Sequence, residues 1–169
     1  MRRISIIITS LFLAFSLSAC GYGSVPETAK MGPAGSGSDA VIGDIKVQEV
    51  LVINDGTNAV LTAVIINTSD KEETLLGASV DYNLLDLVDT SSGVATKHDG
   101  FLIAPKSSLT LSFVAPFGAV FNPADIPAVG KAVKVNFAFA ENGFVKLRAL
   151  VFANTEIYAS VNPSAFALN

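Results

Sequence analysis

The segment Ala132-Val133-Lys134-Val135-Asn136-Phe137-Ala138-Phe139-Ala140-Glu141-Asn142-Gly143-Phe144-Val145-Lys146-Leu147-Arg148-Ala149-Leu150-Val151 decides the fold class. Val133, Val135, Phe137 and Phe139 share one parity; Val145, Leu147, Ala149 and Val151 share another. Period-two alternation marks a half-buried strand, and two such runs around Glu141-Asn142-Gly143 make a β-hairpin. A two-residue Asn-Gly turn would set Phe139 opposite Lys146 and Phe137 opposite Arg148, mixing core with charge. A three-residue loop, with Gly143 in the left-handed region, sets Phe139 opposite Val145 and Phe137 opposite Leu147, and that register is expected.

Working outward, the chain from Val41 reads as β almost throughout. Ile45 to Ile53 places Ile45, Val47, Leu51 and Ile53 on one parity, and Glu49 interrupts it as a bulge or an edge would. Ala59 to Ile66 is apolar on both parities except Thr62, which predicts a central strand covered on both sides. Asp55-Gly56 and Asn67-Thr68-Ser69-Asp70 are turn signals. Thr74 to Val80, Phe101 to Ala104 and Leu109 to Phe113 read as short strands, whereas Tyr82 to Val88 suits a strand or one helical turn. Asp89 to Gly100 is polar, and Pro116 to Gly130 carries Pro116, Pro123 and Pro127, so both are expected to be mostly loop. About eight short strands with few helices predict a β-sandwich or small Greek-key barrel.

The N-terminus carries a different pattern. Arg2 and Arg3 precede an apolar run from Ile4 to Leu17, which ends in Leu17-Ser18-Ala19-Cys20. A run this short with these flanks reads as a secretory signal peptide rather than a membrane span. The ending resembles the lipobox of bacterial lipoproteins, which implies a diacylglyceryl group on the Cys20 thiol and a mature chain that begins there. The expected organisation is a signal peptide (1–19), a lipidated cysteine with a Gly/Ser/Pro-rich tether (20–39), a β-sandwich domain (40–153) and a C-terminal tail (154–169). Two acyl chains suffice for stable anchoring. The tether, treated as coil, spans about 25 Å and holds the domain near the extracytoplasmic face of the cell membrane.

Composition excludes several function classes. The chain of 169 residues has 11 basic and 15 acidic residues, and loss of Arg2 and Arg3 with the signal leaves nine basic against fifteen acidic, a net of −6. That balance argues against nucleic acid and against a polybasic grip on anionic lipid. One cysteine permits no internal disulfide, so the core must hold by burial alone.

Candidate site residues are few. His98 is the only histidine and lies in Thr96-Lys97-His98-Asp99; no activated nucleophile is signalled near it. Asp81, Asp86, Asp89 and Asp99 fall within one stretch, but their spacing matches no Ca²⁺ loop or acid/base pair. Phe117 and Phe121, set between prolines, are the candidate partner patch, with the alternative that they plug one end of the sandwich. No catalytic, cofactor or metal residue is assigned, and the chain is read as a non-enzyme without cofactor.

Leu75-Leu76-Gly77-Ala78-Ser79 after Ile65-Ile66-Asn67-Thr68, then Ile103-Ala104-Pro105-Lys106, then Val133 to Val145 around Phe139-Ala140-Glu141-Asn142-Gly143 together resemble the PCuAC-type periplasmic copper chaperones. With the lipobox, the chain is similar to their actinobacterial lipoprotein branch, the LpqE-type proteins. The resemblance covers about residues 41–152 and implies a cupredoxin-like β-sandwich. It also implies Cu(I) binding through an early His-Met pair, a separate Met and a late His-x-Met. Their places here are Leu84 to Val88 and Phe117-Gly118-Ala119-Val120, which hold neither His nor Met. The reading that follows is a lipid-anchored, non-enzymatic binding or accessory protein. The LpqE-type resemblance implies a place beside the cytochrome bcc–aa3 respiratory supercomplex. The alternative is a periplasmic copper chaperone or metal-handling protein of PCuAC type.

Overall fold

A computed structural model describes residues 37–112, 116–155, 158, 159, 163–166 and 168. The signal, Cys20 and nearly all of the tether lie outside the described residues.

Among the described residues twelve strands form one curled sheet: β1 (Ser38–Ile42), β2 (Ile45–Asn54), β3 (Ala59–Asn67), β4 (Glu73–Val80), β5 (Asn83–Leu84), β6 (Asp86–Asp89), β7 (Thr96–His98), β8 (Phe101–Ile103), β9 (Ser108–Leu111), β10 (Phe117–Val120), β11 (Ala132–Phe139) and β12 (Gly143–Ala153). Their order is β5-β4-β11-β12-β2-β3-β9-β10-β6-β7, with β1 on β2 and β8 on β4. β12 is the corner between the two layers. Its first part pairs antiparallel with β11, and Val151 to Ala153 then pair parallel with Val52 to Asn54 of β2. The inward parities of both layers meet in one core, where Val135, Phe137 and Leu75 pack with Ile45, Val47, Leu61 and Ile65. The architecture is all-β and cupredoxin-like.

β3 is central, as its two apolar parities predict. It pairs with β2, β9 and β10. Leu61, Ala63 and Ile65 face the main core, whereas Val60 joins Ile53, Val88, Val120 and Phe166 in a second cluster. The cover on that second side comes from the C-terminal segment, so the tail at 154–169 is packed rather than trailing where it is described. A Cβ on Gly118 would stand 2.7 Å from Phe166 Cδ1, so the absence of a side chain at 118 lets the ring lie against the strand.

Glu49 is a bulge. Its φ is +54°, the β2–β3 register shifts between Gln48 and Leu51, and its N–H donates to Asp39 Oδ1 at 2.9 Å.

Other expectations need correction. Strands number twelve rather than about eight, because the stretches read as loop contain short ladders. Phe117 to Val120 pairs with β6 and β3 despite its flanking prolines, which stand outside the ladder. Thr96 to His98 pairs with β6, and Tyr82 to Val88 resolves into β5 and β6 rather than a helical turn.

The hairpin keeps its expected parity and its left-handed Gly143 (φ +78°), but its register is displaced by two residues. Phe139 faces Gly143, Phe137 faces Val145 and Val135 faces Leu147, with Ala140, Glu141 and Asn142 as the loop. The loop is held from outside the hairpin. Glu73 is only 2% exposed, and its carboxylate accepts from the N–H of Glu141 (3.1 Å), the N–H of Asn142 (3.0 Å) and the Asn142 side-chain amide (2.8 Å). The Ala140 N–H donates to the Thr74 carbonyl at 3.0 Å. β4 therefore sets which residues turn, and inward parity survives because a two-residue shift does not change faces.

Candidate functional site

The two stretches where the resemblance would put copper ligands converge in space. β6 and β10 pair antiparallel, with Phe117 opposite Asp89, Gly118 opposite Val88, Ala119 opposite Leu87 and Val120 opposite Asp86. β7 lies on the other edge of β6 and sets His98 opposite Leu87 and Thr96 opposite Asp89. Leu87, Val88, Ala119 and Val120 are all buried carbon. Neither strand carries His, Met or Cys; Asp86 and Asp89, at the two ends of β6, are their acidic residues.

The donors lie at the edge. His98 Nε2 is 3.9 Å from Asp89 Oδ2, a pairing that becomes ionic when the imidazole is protonated. Its ring stacks on Phe101 at 5.6 Å between centroids, and Phe101 packs on Phe117 at 4.8 Å. Such aromatic contacts contribute about 0.5–1.5 kcal/mol each beyond burial. The row His98–Phe101–Phe117 thus ties β7, β8 and β10 together. The Asp89 carboxyl is held below its ordinary range, first by the Ser91 backbone N–H at 2.7 Å, then by the Ser91 hydroxyl, with His98 adding a smaller attraction against a modest desolvation.

The four aspartates do not converge. Asp86 forms an ion pair with Lys97 across β6–β7. Asp81, at φ +46°, donates its N–H to the Lys134 carbonyl and accepts the Lys134 N–H on Oδ1, both at 2.9 Å, so it clips β4 to β11. Asp99 is exposed beyond the end of β7. Among the described residues no three His, Cys, Asp or Glu side chains come together as a metal site would require. His98 is therefore brought to Asp89, not to its sequence neighbour Asp99.

Phe117 and Phe121 do not form an exposed patch. Phe121 is 7% exposed and Phe117 half-buried, and both pack into the main core, so they plug this end of the sandwich. A depression of about 240 Å³ lies beside Phe121, lined by Asn58, Asp86, Asn122 and Pro123 among others; Phe117 is not on it.

Asn67, within the Asn-Thr-Ser pattern, is 1% exposed. Its amide donates to the carbonyls of Lys71, Ile103 and Ala104, and its oxygen accepts from the Ser69 N–H and hydroxyl, so it is a buried turn anchor. Glu73 was not singled out by sequence. A Glu in the charged run Asp70-Lys71-Glu72-Glu73 at a strand start gives no local sign that a loop sixty-nine positions away will donate to it.

The fold is an all-β, cupredoxin-like one whose β6–β10 junction buries Leu87, Val88, Ala119 and Val120. The described chain superposes on a copper-bound PCuAC domain from PmoF2 with a TM-score of 0.57, at 22% identity over 69% of this chain and 98% of that one. The apo PCuAC domain from PmoF1 gives 0.56 at 21% identity, over 69% and 99%. The Cu(I) form of DR1885 from Deinococcus radiodurans gives 0.50 at 17% identity, over 76% and 88%. At these identities the likeness is one of fold. No family model matches the sequence, and no curated protein matches it.

Proposed function

We propose that this chain is a non-enzymatic, extracytoplasmic binding protein of PCuAC type, anchored to the membrane through lipid on Cys20, with metal handling as the activity its fold supports best. The observation that carries this is the shared fold with copper-bound and apo PCuAC domains over nearly their whole length. The donor set restricts the chemistry. Soft Cu(I) is held by thioether, thiolate or imidazole. The described residues supply one imidazole, His98, with the Asp89 carboxylate beside it. These residues do not fit a self-sufficient Cu(I) site. The pair supplies one nitrogen and one oxygen, fewer than a formed metal site requires and enough only for weak binding of a borderline divalent ion. The test is titration of the full chain with Cu(I) against a chromophoric chelator and with Cu(II) directly. The expected result is no competition for Cu(I) and one weak Cu(II) equivalent that His98→Ala removes. Absence of both, or Cu(II) binding indifferent to His98, goes against metal handling.

A second reading is favoured by the same shortage of donors. An apolar β6–β10 junction suits a scaffold, here an accessory subunit of a respiratory complex such as the cytochrome bcc–aa3 supercomplex. Purification from membranes in mild detergent discriminates: respiratory subunits at fixed ratio support it, and a solitary monomer counts against it. The mass of the N-terminal peptide from the same sample reports whether Cys20 carries a diacylglyceryl group.

A further inference from the structure

We infer that the outer face of the β5–β4–β11–β12 layer docks on an anionic membrane through lipid phosphodiester headgroups. The pairing registers lay this face out in rows. Leu84 lies opposite Ser79, Ser79 opposite Asn136 and Asn136 opposite Lys146; in the next row Lys134 lies opposite Arg148. Lys134, Lys146 and Arg148 are all exposed. Like charges directly opposite in a ladder are destabilising. The ion pairs Lys97–Asp86 and Lys106–Asp70 relieve none of these three, and the Asp81 carboxylate accepts the Lys134 backbone N–H. The cluster thus persists in a chain whose net charge is −4.

The three cations, with Tyr82, Asn136 and Leu147, line a shallow depression of about 370 Å³, and Lys134 Nζ stands 5.9 Å over the Tyr82 ring. Apolar side chains project from the same face. Phe144 (70% exposed) and Leu150 alternate along β12 with Lys146 and Arg148, while Leu84 (76%) and Tyr82 (84%) flank the other edge. Cations whose long stems reach around single protruding aromatic and aliphatic groups match a bilayer surface, where headgroups take the charge and the interface takes the carbon. An open, shallow face fits an extended surface better than an enclosed small anion. Charge complementarity also favours one orientation: the net-negative domain is repelled by anionic lipid as a whole, whereas the Lys134–Lys146–Arg148 cluster is attracted. The inference rests on the envelope reading for its proximity to a membrane, and it refines what net charge predicts, because folding concentrates on one face the cations that composition averages away.

The test uses the full chain with Cys20→Ala, so that no acyl group contributes, and co-sedimentation with vesicles of phosphatidylcholine alone or mixed with phosphatidylglycerol. The expected result is binding to the mixed vesicles that weakens as salt rises. It should weaken about tenfold or more in the same chain carrying Lys134→Glu, Lys146→Glu and Arg148→Glu. The N-terminal apolar stretch is present in both chains, so the binding assigned to the face is the salt-dependent difference between mixed and phosphatidylcholine vesicles that separates parent from variant. The milder pair Lys146→Gln and Arg148→Gln, expected to give a smaller loss in the same direction, serves if the triple variant misfolds. Equal binding by parent and variants, or no preference for anionic lipid, overturns the inference. So does binding of polyglutamate or inorganic phosphate without vesicle binding, which would assign the face to an acidic protein or a small anion. Because Cys20 is absent from the test, the mass of the native N-terminus reports separately whether the anchor exists.

Discussion

Glu73 is a buried carboxylate whose partners are all N–H groups: the backbone of Thr74 (2.7 Å), Glu141 and Asn142, and the Asn142 amide. Burial pushes its carboxyl up, but the Asn142 amide and the three backbone donors together outweigh it and hold it below the ordinary 4.5. The folded state therefore binds the proton less tightly than the unfolded chain. The stabilisation is complete above about pH 4.5 and is lost as pH falls through the lowered folded value. Glu73→Gln keeps the shape, weakens the acceptors and faces an N–H toward donors. It is expected to cost about 2 kcal/mol in a urea midpoint at neutral pH. Below pH 4 the gap between parent and variant should narrow. A gap that widens on acidification would show that the carboxylate is not the stabilising form.

At the scale of elements, two packings that local pattern did not show hold the sheet together. The first is the C-terminal segment against β3 and β10. Phe166 is buried with Ile53, Val60, Val88 and Val120, and Tyr158 packs on Phe152 at 5.3 Å between ring centroids. Phe166→Ala should destabilise by about 3–5 kcal/mol, the usual cost of deleting a buried aromatic ring. An unchanged denaturation midpoint would mean the segment is dispensable. The second is the hairpin loop. Gly143 sits at φ +78° with open space around it, so Gly143→Ala meets backbone strain without a clash and should cost about 1 kcal/mol by thermal melting. The parity of β11 and β12 was legible because alternation is local. The register was not, because Glu73 sets it from another strand. Similarly Phe117 to Val120 reads as loop between prolines, yet its ladder partners, Asp86 to Asp89 and Val60 with Leu61, lie far off in sequence.

At the scale of the molecule, a fold like that of PCuAC domains is present while the paired strands Asp86–Asp89 and Phe117–Val120 carry no His, Met or Cys. Cu(II) titration of the parent and His98→Ala chains is the decisive measurement for the metal-handling reading, and the vesicle assay for the basic face, since each tests a different part of the domain. The single cysteine leads to a further expectation: reductant should leave the melting temperature unchanged, because no intrachain disulfide can form. A reductant-dependent shift in the monomer would overturn that.

The sequence by itself determined the all-β class, the doubly covered central strand, the break in alternation at Glu49, the inward residues of the last hairpin and the scarcity of soft donors. These follow from composition and period-two pattern, which act over a few residues. Tertiary structure alone decided that β6 meets β10, that His98 turns to Asp89, that Glu73 receives the hairpin loop, that Phe166 covers β3, and that Lys134, Lys146 and Arg148 share one face. Each of those depends on where the chain returns after a reversal. Many strand orders satisfy the same alternation, and only the joint packing of both layers selects one.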